Sequence, residues 1–425
     1  MVTGILMLLL IILLLLGMPI AFVLLTIGSI GIFLVQGFDS LQGILSTTAY
    51  RSVNSFSFSA IPLFILMAHL ISKSKIADEL FDSVIKWIGH IPGGAGVATV
   101  LASAGFGTLS GSSIAATAAM SQIAVPQMIK ANYSDAFSAG LVATATGVLA
   151  AMIPPSIPLI LYGIQTENSI GQLLMAGVFP GILIALLMCI FVVAVSFKNK
   201  SKTEKYSWKE RWLSLKNIWP VVLLVLFVLF IIYTGVGTAT EAAAFGAFGA
   251  LVIGLLMRRL NIKTVFESLM ITTKNTAMIF TIIIGAHVFS YYIAFTRVGN
   301  DIINAIEASG FPAWAILLLI IILYLIMGMF MDLIGTMLLT IPLVYPLIVG
   351  LGYDPIWFGI VLVLLLEIGL VTPPVGINLF IVSENSGIPS NRVLVGSIPF
   401  ICVLFVALIL IIVFPQIALY LPSLM

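Results

Sequence analysis

Ile153-Pro154-Pro155-Ser156 and Thr372-Pro373-Pro374-Val375 break two long apolar runs, and the paired prolines stand 219 residues apart. A proline has no N–H to donate and pushes the residue before it out of the helical region, so a helix running into either motif must end there. The carbonyls of the preceding turn lose their partners. At membrane depth such backbone is tolerated only where protein packs around it or a polar cavity receives it. Both motifs are therefore expected to face inward, as the two halves of an ion and substrate site.

The setting is a membrane. The chain has 425 residues, 61% hydrophobic and 8% charged, and a mean hydropathy of +1.24, whereas about a quarter of the residues in a soluble domain are charged. Apolar stretches around 220–233, 242–257, 316–330 and 398–414, with their flanks, approach the roughly 20 residues a spanning helix needs. An all-α polytopic membrane protein in a lipid bilayer is expected. No basic patch with interleaved aromatics points to nucleic acid. Cys189 and Cys402 both fall in apolar spans, which offers neither a disulfide framework nor a metal site. The first 16 residues lack a charged leader region and a small-residue cleavage site, so they read as a retained first span.

The prolines also reveal a repeat. Pro92, Pro126 and Tyr133 recur as Pro312, Pro346 and Tyr353 at a separation of 220, and Pro154, Pro155 and Pro180 recur as Pro373, Pro374 and Pro399 at 219. Such punctuation is the expected sign of duplicated transporter units. Loop charge orients them. Seven basic residues (Lys198, Lys200, Lys202, Lys205, Lys209, Arg211, Lys216) against Glu204 and Glu210 mark one cytoplasmic loop, and Arg258, Arg259, Lys263 and Lys274 mark another. Counting outward from these loops gives two inverted-topology repeats and places both termini outside the cytoplasm.

The expected organisation is N-terminal spans over 1–56, a first repeat over 57–197, a basic loop over 198–218, spans and a loop over 219–275, and a second repeat over 276–425. The first repeat divides into a span at 57–72, an amphipathic helix at 76–90, a hairpin at 92–128 and a broken transmembrane helix at 134–163, followed by a closing span. The second divides likewise at 276–296, 298–309, 312–348 and 356–383. Each hairpin is expected to be re-entrant. The middle of 92–128 holds no loop suited to a surface, only Gly105-Phe106-Gly107-Thr108-Leu109-Ser110-Gly111-Ser112-Ser113, a cluster that suits a hairpin tip at mid-depth. Small-residue helix packing is the plainer reading of its glycines and alanines.

A hard monovalent cation such as Na⁺ is held by backbone carbonyls, hydroxyls and an occasional carboxylate. A first site is expected from Ser110, Ser112 and Ser113, facing carbonyls near Ile153 and Pro154, with Ser156 adding a hydroxyl. A second is expected where Asp332, Gly335 and Thr336 of the other tip face Thr372, Pro373 and Asn378. Asp332 occupies the position of Ser112 across the repeat. Hairpin amides and hydroxyls around Gly111, Ser113, Pro155 and Pro374 would hold the substrate. Ionisable groups at membrane depth are functional by default. Glu367 fits ion or proton handling, or a structural hydrogen bond between helices. His69 and His287 recur at a separation of 218 and fit satisfied core residues better than a proton relay. Glu241 opens a span, where a carboxylate suits the positive end of a helix, so capping competes with transport.

No HExxH, GxSxG or GxxxxGK[ST] motif is present, so an integral-membrane enzyme is a poor alternative, as is a passive channel. Flux that follows a sodium gradient would distinguish a secondary carrier from both.

The runs Tyr353-Asp354-Pro355-Ile356-Trp357-Phe358-Gly359-Ile360 and Leu370-Val371-Thr372-Pro373-Pro374-Val375-Gly376-Ile377-Asn378-Leu379 resemble the large membrane subunit of tripartite ATP-independent periplasmic (TRAP) transporters. Ile153-Pro154-Pro155-Ser156, Thr240-Glu241-Ala242-Ala243-Ala244 and Gly17-Met18-Pro19 extend the resemblance over essentially the whole chain. Ala239 departs from it, standing where the family usually has proline. The resemblance implies an elevator-type carrier in a bacterial inner membrane, with hairpins and broken helices moving against a scaffold. It also implies a small four-helix membrane subunit, a periplasmic substrate-binding protein and sodium-driven import of a small organic carboxylate. A stand-alone ion-coupled anion or dicarboxylate carrier is the alternative. Family sodium positions would fall at Ser110, Ser112 and Ser113 with the 153–156 break, and at Asp332 and Thr336 with the 372–375 break. Overall similarity, rather than any one residue, suggests sialic acid as the cargo.

Overall fold

The computed structural model describes residues 2–74, 76–196, 206–216, 218–298 and 310–425. The described elements are helices. They are α1 (Val2–Leu15), α2 (Ile20–Arg51), a 3-10 turn (Phe56–Ser59), α3 (Ala60–Lys73), α4 (Ile76–Ile88), α5 (Gly94–Ser110), α6 (Ser113–Lys130), α7 (Asp135–Met152), α8 (Ile157–Thr166) and α9 (Ile170–Ser196). After the basic loop come α10 (Trp208–Leu215), α11 (Trp219–Thr234), α12 (Ala239–Leu256), α13 (Ile262–Thr296), α14 (Ala313–Phe330), α15 (Leu333–Gly350), α16 (Pro355–Leu370), α17 (Ile377–Ser386), α18 (Ser390–Val413) and α19 (Gln416–Leu419). Among the described residues nine helices are long and apolar enough to cross a membrane, and the chain is a multi-pass membrane protein.

Two layers follow from which helices bury their full circumference. In α16 every residue from Trp357 to Leu370 is buried, and in α7 every residue from Ser138 to Met152. A helix apolar all round belongs in a core or in lipid, and packing decides which. Here α7 and α16 lie against each other, with α5 and α6 on α7 and α14 on α16. The interfaces use small residues, so that backbones approach where lipid offers no hydrophobic drive. A Cβ on Gly140 of α7 would overlap the backbone of Gly396 in α18, and one on Gly107 of α5 would stand 2.7 Å from Ala150 Cα of α7.

The outer layer pairs α2 with α13 and α3 with α12. Gly28 makes the first contact possible, since a Cβ there would lie 2.8 Å from Phe289 N. The 35 residues of α13 span about 52 Å, more than the hydrocarbon thickness, so the helix must tilt or protrude. Ion pairs tie its basic end together: Lys73 meets Glu267 at 2.9 Å, and Arg259 grips Glu79 of α4 through two contacts at 2.5 and 2.7 Å.

The loop expected over 198–218 contains a helix. Ser207 and Glu210 form a capping box at the start of α10, and Trp208 and Trp212 pack edge-on against Trp87 of α4. Lys198, Lys200, Lys202 and Lys205, and most of the amphipathic helix expected at 298–309, lie outside the described residues.

Candidate functional site

The first hairpin turns at Ser110-Gly111-Ser112-Ser113. Gly111 closes α5 with φ +57, and a Cβ there would lie 2.7 Å from Pro155 O, so both conformation and contact demand glycine. Ser112 caps α6 by accepting from Ala115 N, while Ser110 Oγ donates to Ser112 O at 3.2 Å. The tip is bonded to the break. Ile157 N donates to Gly111 O at 3.2 Å.

Helix α7 ends where the sequence requires. The carbonyls of Ala150 and Ala151 would accept from residues 154 and 155, both prolines, and the Pro154–Pro155 bond is cis. Ser156 answers this locally: its hydroxyl donates to Ala151 O, and the same oxygen caps α8 by accepting from Leu159 N at 3.4 Å. Pro154, Pro155 and Ser156 are buried and Ile153 half-buried. Ser110, Gly111, Ser112, Pro155 and Ser156 are thus brought together.

The second unit is arranged differently. Asp332 caps α15, with Oδ2 accepting from Gly335 N at 3.0 Å, and Thr336 Oγ1 donates back to Asp332 O at 2.8 Å. Gly335 packs against the Ile20 side chain at the start of α2. At the second break the Pro373–Pro374 bond is also cis, Thr372 Oγ1 donates to Ile368 O at 2.6 Å, and Pro373 and Pro374 are exposed. Among the described residues no hydrogen bond joins this tip to this break. The expectation that Asp332, Gly335 and Thr336 face Asn378 is corrected. The chain leaving the break carries α17 across to α6 and α7 of the first repeat, and Asn378 goes with it.

There it completes a buried junction. Ser113 Oγ donates to Glu367 Oε2 at 2.9 Å and accepts from Asn378 Nδ2 at 3.1 Å. Glu367 and Asn378 are both 0% exposed. Gly147 of α7 provides the room, since a Cβ there would lie 2.5 Å from both Asn378 Nδ2 and Ser113 Oγ. Among the described residues Glu367 Oε1 and Asn378 Oδ1 have no hydrogen-bond partner, nor does Thr117 Oγ1 one turn along α6 from Ser113. Buried oxygens left open this way call for a cation, a proton or water. One hairpin and both broken helices meet here, which the sequence reading missed because its half-sites were drawn within single repeats. Spacing along the chain carries no signal for a contact made across the repeats.

Other candidates resolve singly. Glu241 is a cap, its carboxylate accepting from Thr238 N at 2.7 Å and Thr238 Oγ1 at 2.9 Å. His69 Nε2 lies 3.3 Å from Asn275 Nδ2.

Residues 7–417 match the model of the tripartite ATP-independent periplasmic transporter, DctM component. The chain is 36% identical to the C4-dicarboxylate TRAP transporter large permease protein DctM of Pseudomonas aeruginosa, over 91% of this chain and 90% of that protein. It is 34% identical to the ectoine TRAP transporter large permease protein TeaC of Halomonas elongata, over 97% of each. Its identity to the sialic acid TRAP transporter large permease protein SiaM of Vibrio cholerae is 31%, over 96% and 95%. Among solved structures, the YdaH transporter of Alcanivorax borkumensis shares the fold with a TM-score of 0.66 at 13% identity, covering 96% of this chain and 97% of that one. A chain that matches the family model over nearly its whole length, and several of its large permeases at 30% identity or more, belongs to the DctM family of TRAP transporter large permease subunits.

Proposed function

We propose that this subunit imports a small organic carboxylate across a bacterial inner membrane, driven by sodium. The observation that carries the reading is the junction of Ser113, Glu367 and Asn378, where buried oxygens from the first hairpin and both halves of the second broken helix converge against Gly147 of the first, with acceptor positions open. Sodium needs several oxygen ligands. In the proposed arrangement a first ion uses Ser110, Ser112 and Ser113 with the backbone at 153–156. A second uses Asp332 and Thr336 with the backbone at 372–373, once the second tip closes on its break. Glu367 links the halves, as an ion ligand or as the holder of a proton. The hairpins are taken to be re-entrant and the repeats inverted, with both termini periplasmic. The central layer would move as an elevator against α2, α3, α12 and α13.

The cargo class rests on chemistry shared by the relatives. Their names specify C4-dicarboxylates, ectoine, sialic acid and 2,3-diketo-L-gulonate. All carry a carboxylate, and sialic acid is one candidate among the four. A small four-helix membrane subunit and a periplasmic binding protein complete the working unit. The test is uptake into proteoliposomes holding both membrane subunits, with the binding protein outside and each carboxylate offered in turn. Uptake that rises with an inward sodium gradient supports the reading. Uptake independent of sodium overturns it, and uptake without the partners supports a stand-alone carrier instead.

A further inference from the structure

A cleft of about 520 Å³ lies between the outer layer and the far end of α8, lined among others by Arg51, Ser57, Gln165, Glu167, His287 and Tyr291. This volume suits a small ligand. Arg51 ends α2 and has no ion-pair partner among the described residues, although Glu167 lines the same cleft. An unpaired guanidinium offers a fork of donors that matches a carboxylate. Hydroxyls of Ser57 and Tyr291 and the amide of Gln165 add further donors around it.

The position of the cleft separates it from the junction. Gln165 stands nine residues beyond Ser156, about 13 Å along α8 from the first break. His287 stands about 37 Å along α13 from Ile262, next to the basic loop. The cleft is therefore at the end of the molecule opposite the Lys and Arg cluster. Under the orientation proposed above, that end faces the periplasm.

We propose that this cleft is a second carboxylate-binding site, in which Arg51 captures the substrate on the outer face before it reaches the central site. The inference rests on the proposed carboxylate cargo and orientation. It differs from them in needing no sodium, because Arg51 supplies the countercharge.

The test uses right-side-out membrane vesicles containing the full chain and its small membrane partner. In a background with Cys189→Ala and Cys402→Ala, Ser57→Cys is labelled by an impermeant anionic methanethiosulfonate in sodium-free medium. A C4-dicarboxylate (succinate), N-acetylneuraminate and ectoine are each added at millimolar concentration. The expected result is labelling from outside that at least one carboxylate slows by about tenfold, protection that Arg51→Gln abolishes and Arg51→Lys partly keeps. Absence of protection by all three, or equal protection in Arg51→Gln, overturns the site. Protection that requires sodium assigns the effect to the central site and also overturns it. Labelling only from the cytoplasmic side overturns the orientation and with it the capture role. Sodium-driven uptake in the parent chain is scored separately, so the transport reading can stand or fall by itself.

Discussion

Alanine at position 147 would test the junction directly. Its methyl would lie 2.5 Å from Ser113 Oγ and Asn378 Nδ2 and 3.0 Å from Glu367 Oε2. Carbon and polar heavy atoms sit about 3.5 Å apart, so Ser113 and Asn378 must each retreat by about 1 Å. Both junction hydrogen bonds end on the displaced atoms. The bond to the carboxylate contributes about 1.5–3 kcal/mol if it is ionised, and the neutral one about 0.5–1.5 kcal/mol. Overpacking a core adds about 1–3 kcal/mol. These terms overlap, because relief of the clash is what breaks the bonds, so a combined loss of about 3–5 kcal/mol is expected. If the fold absorbs it, melting falls. If ligand binding absorbs it, even 3 kcal/mol weakens affinity by about a hundredfold. The assay pairs sodium-dependent uptake in proteoliposomes with thermal melting of the purified protein. Gly43→Ala is the control, since nothing lies within 4 Å of a Cβ there, and a helical Gly→Ala change is neutral or stabilising by up to about 1 kcal/mol. Gly147→Ala matching the wild type in both sodium dependence and melting would refute the arrangement of these three groups around Gly147.

Asp332→Ala is expected to abolish sodium-driven uptake while removing about 1 kcal/mol of helix capping; Asp332→Asn keeps the cap, so normal uptake in that variant would show that the charge is not required. Glu367→Gln preserves shape and removes a buried ionisable group whose charged form is costly to desolvate. Melting should hold or rise while sodium-driven uptake falls at least about tenfold, and unchanged uptake would assign Glu367 a structural role. Thr238→Ala breaks the capping box at α12 and is expected to lower stability by about 1 kcal/mol with uptake per folded molecule intact; a loss of specific uptake would contradict the capping role.

How far the sequence could be read depends on the kind of signal. The ends of α7 and α16, at Met152 and Leu370, follow from prolines that cannot donate, and this holds whatever surrounds them. A tip within Gly105 to Ser113 was legible from residues tolerant of positive φ, but only the structure places the left-handed turn at Gly111 rather than at Gly105 or Gly107. The role of Ser156 was only half legible. It was expected to offer a hydroxyl, but its donation to Ala151 O depends on how the chain bends through the break. Arg51 was passed over entirely, because a charge at a helix end is ordinary and only the assembled cleft shows that it has no ion-pair partner among the described residues.

Composition, proline spacing and loop charge by themselves determined an all-helical membrane chain with paired helix breaks. These are one-dimensional properties: hydrophobic length, missing donors and charge counts act within a few residues of where they are written. The tertiary structure decided which repeat's residues meet. It carried Asn378 from the second break to Ser113 of the first tip, set Glu367 beside them, and left the second tip capping itself against α2. Such contacts depend on helix crossings, made close by glycines such as Gly147, Gly140 and Gly396, and on open valences that exist only after packing has excluded every other partner.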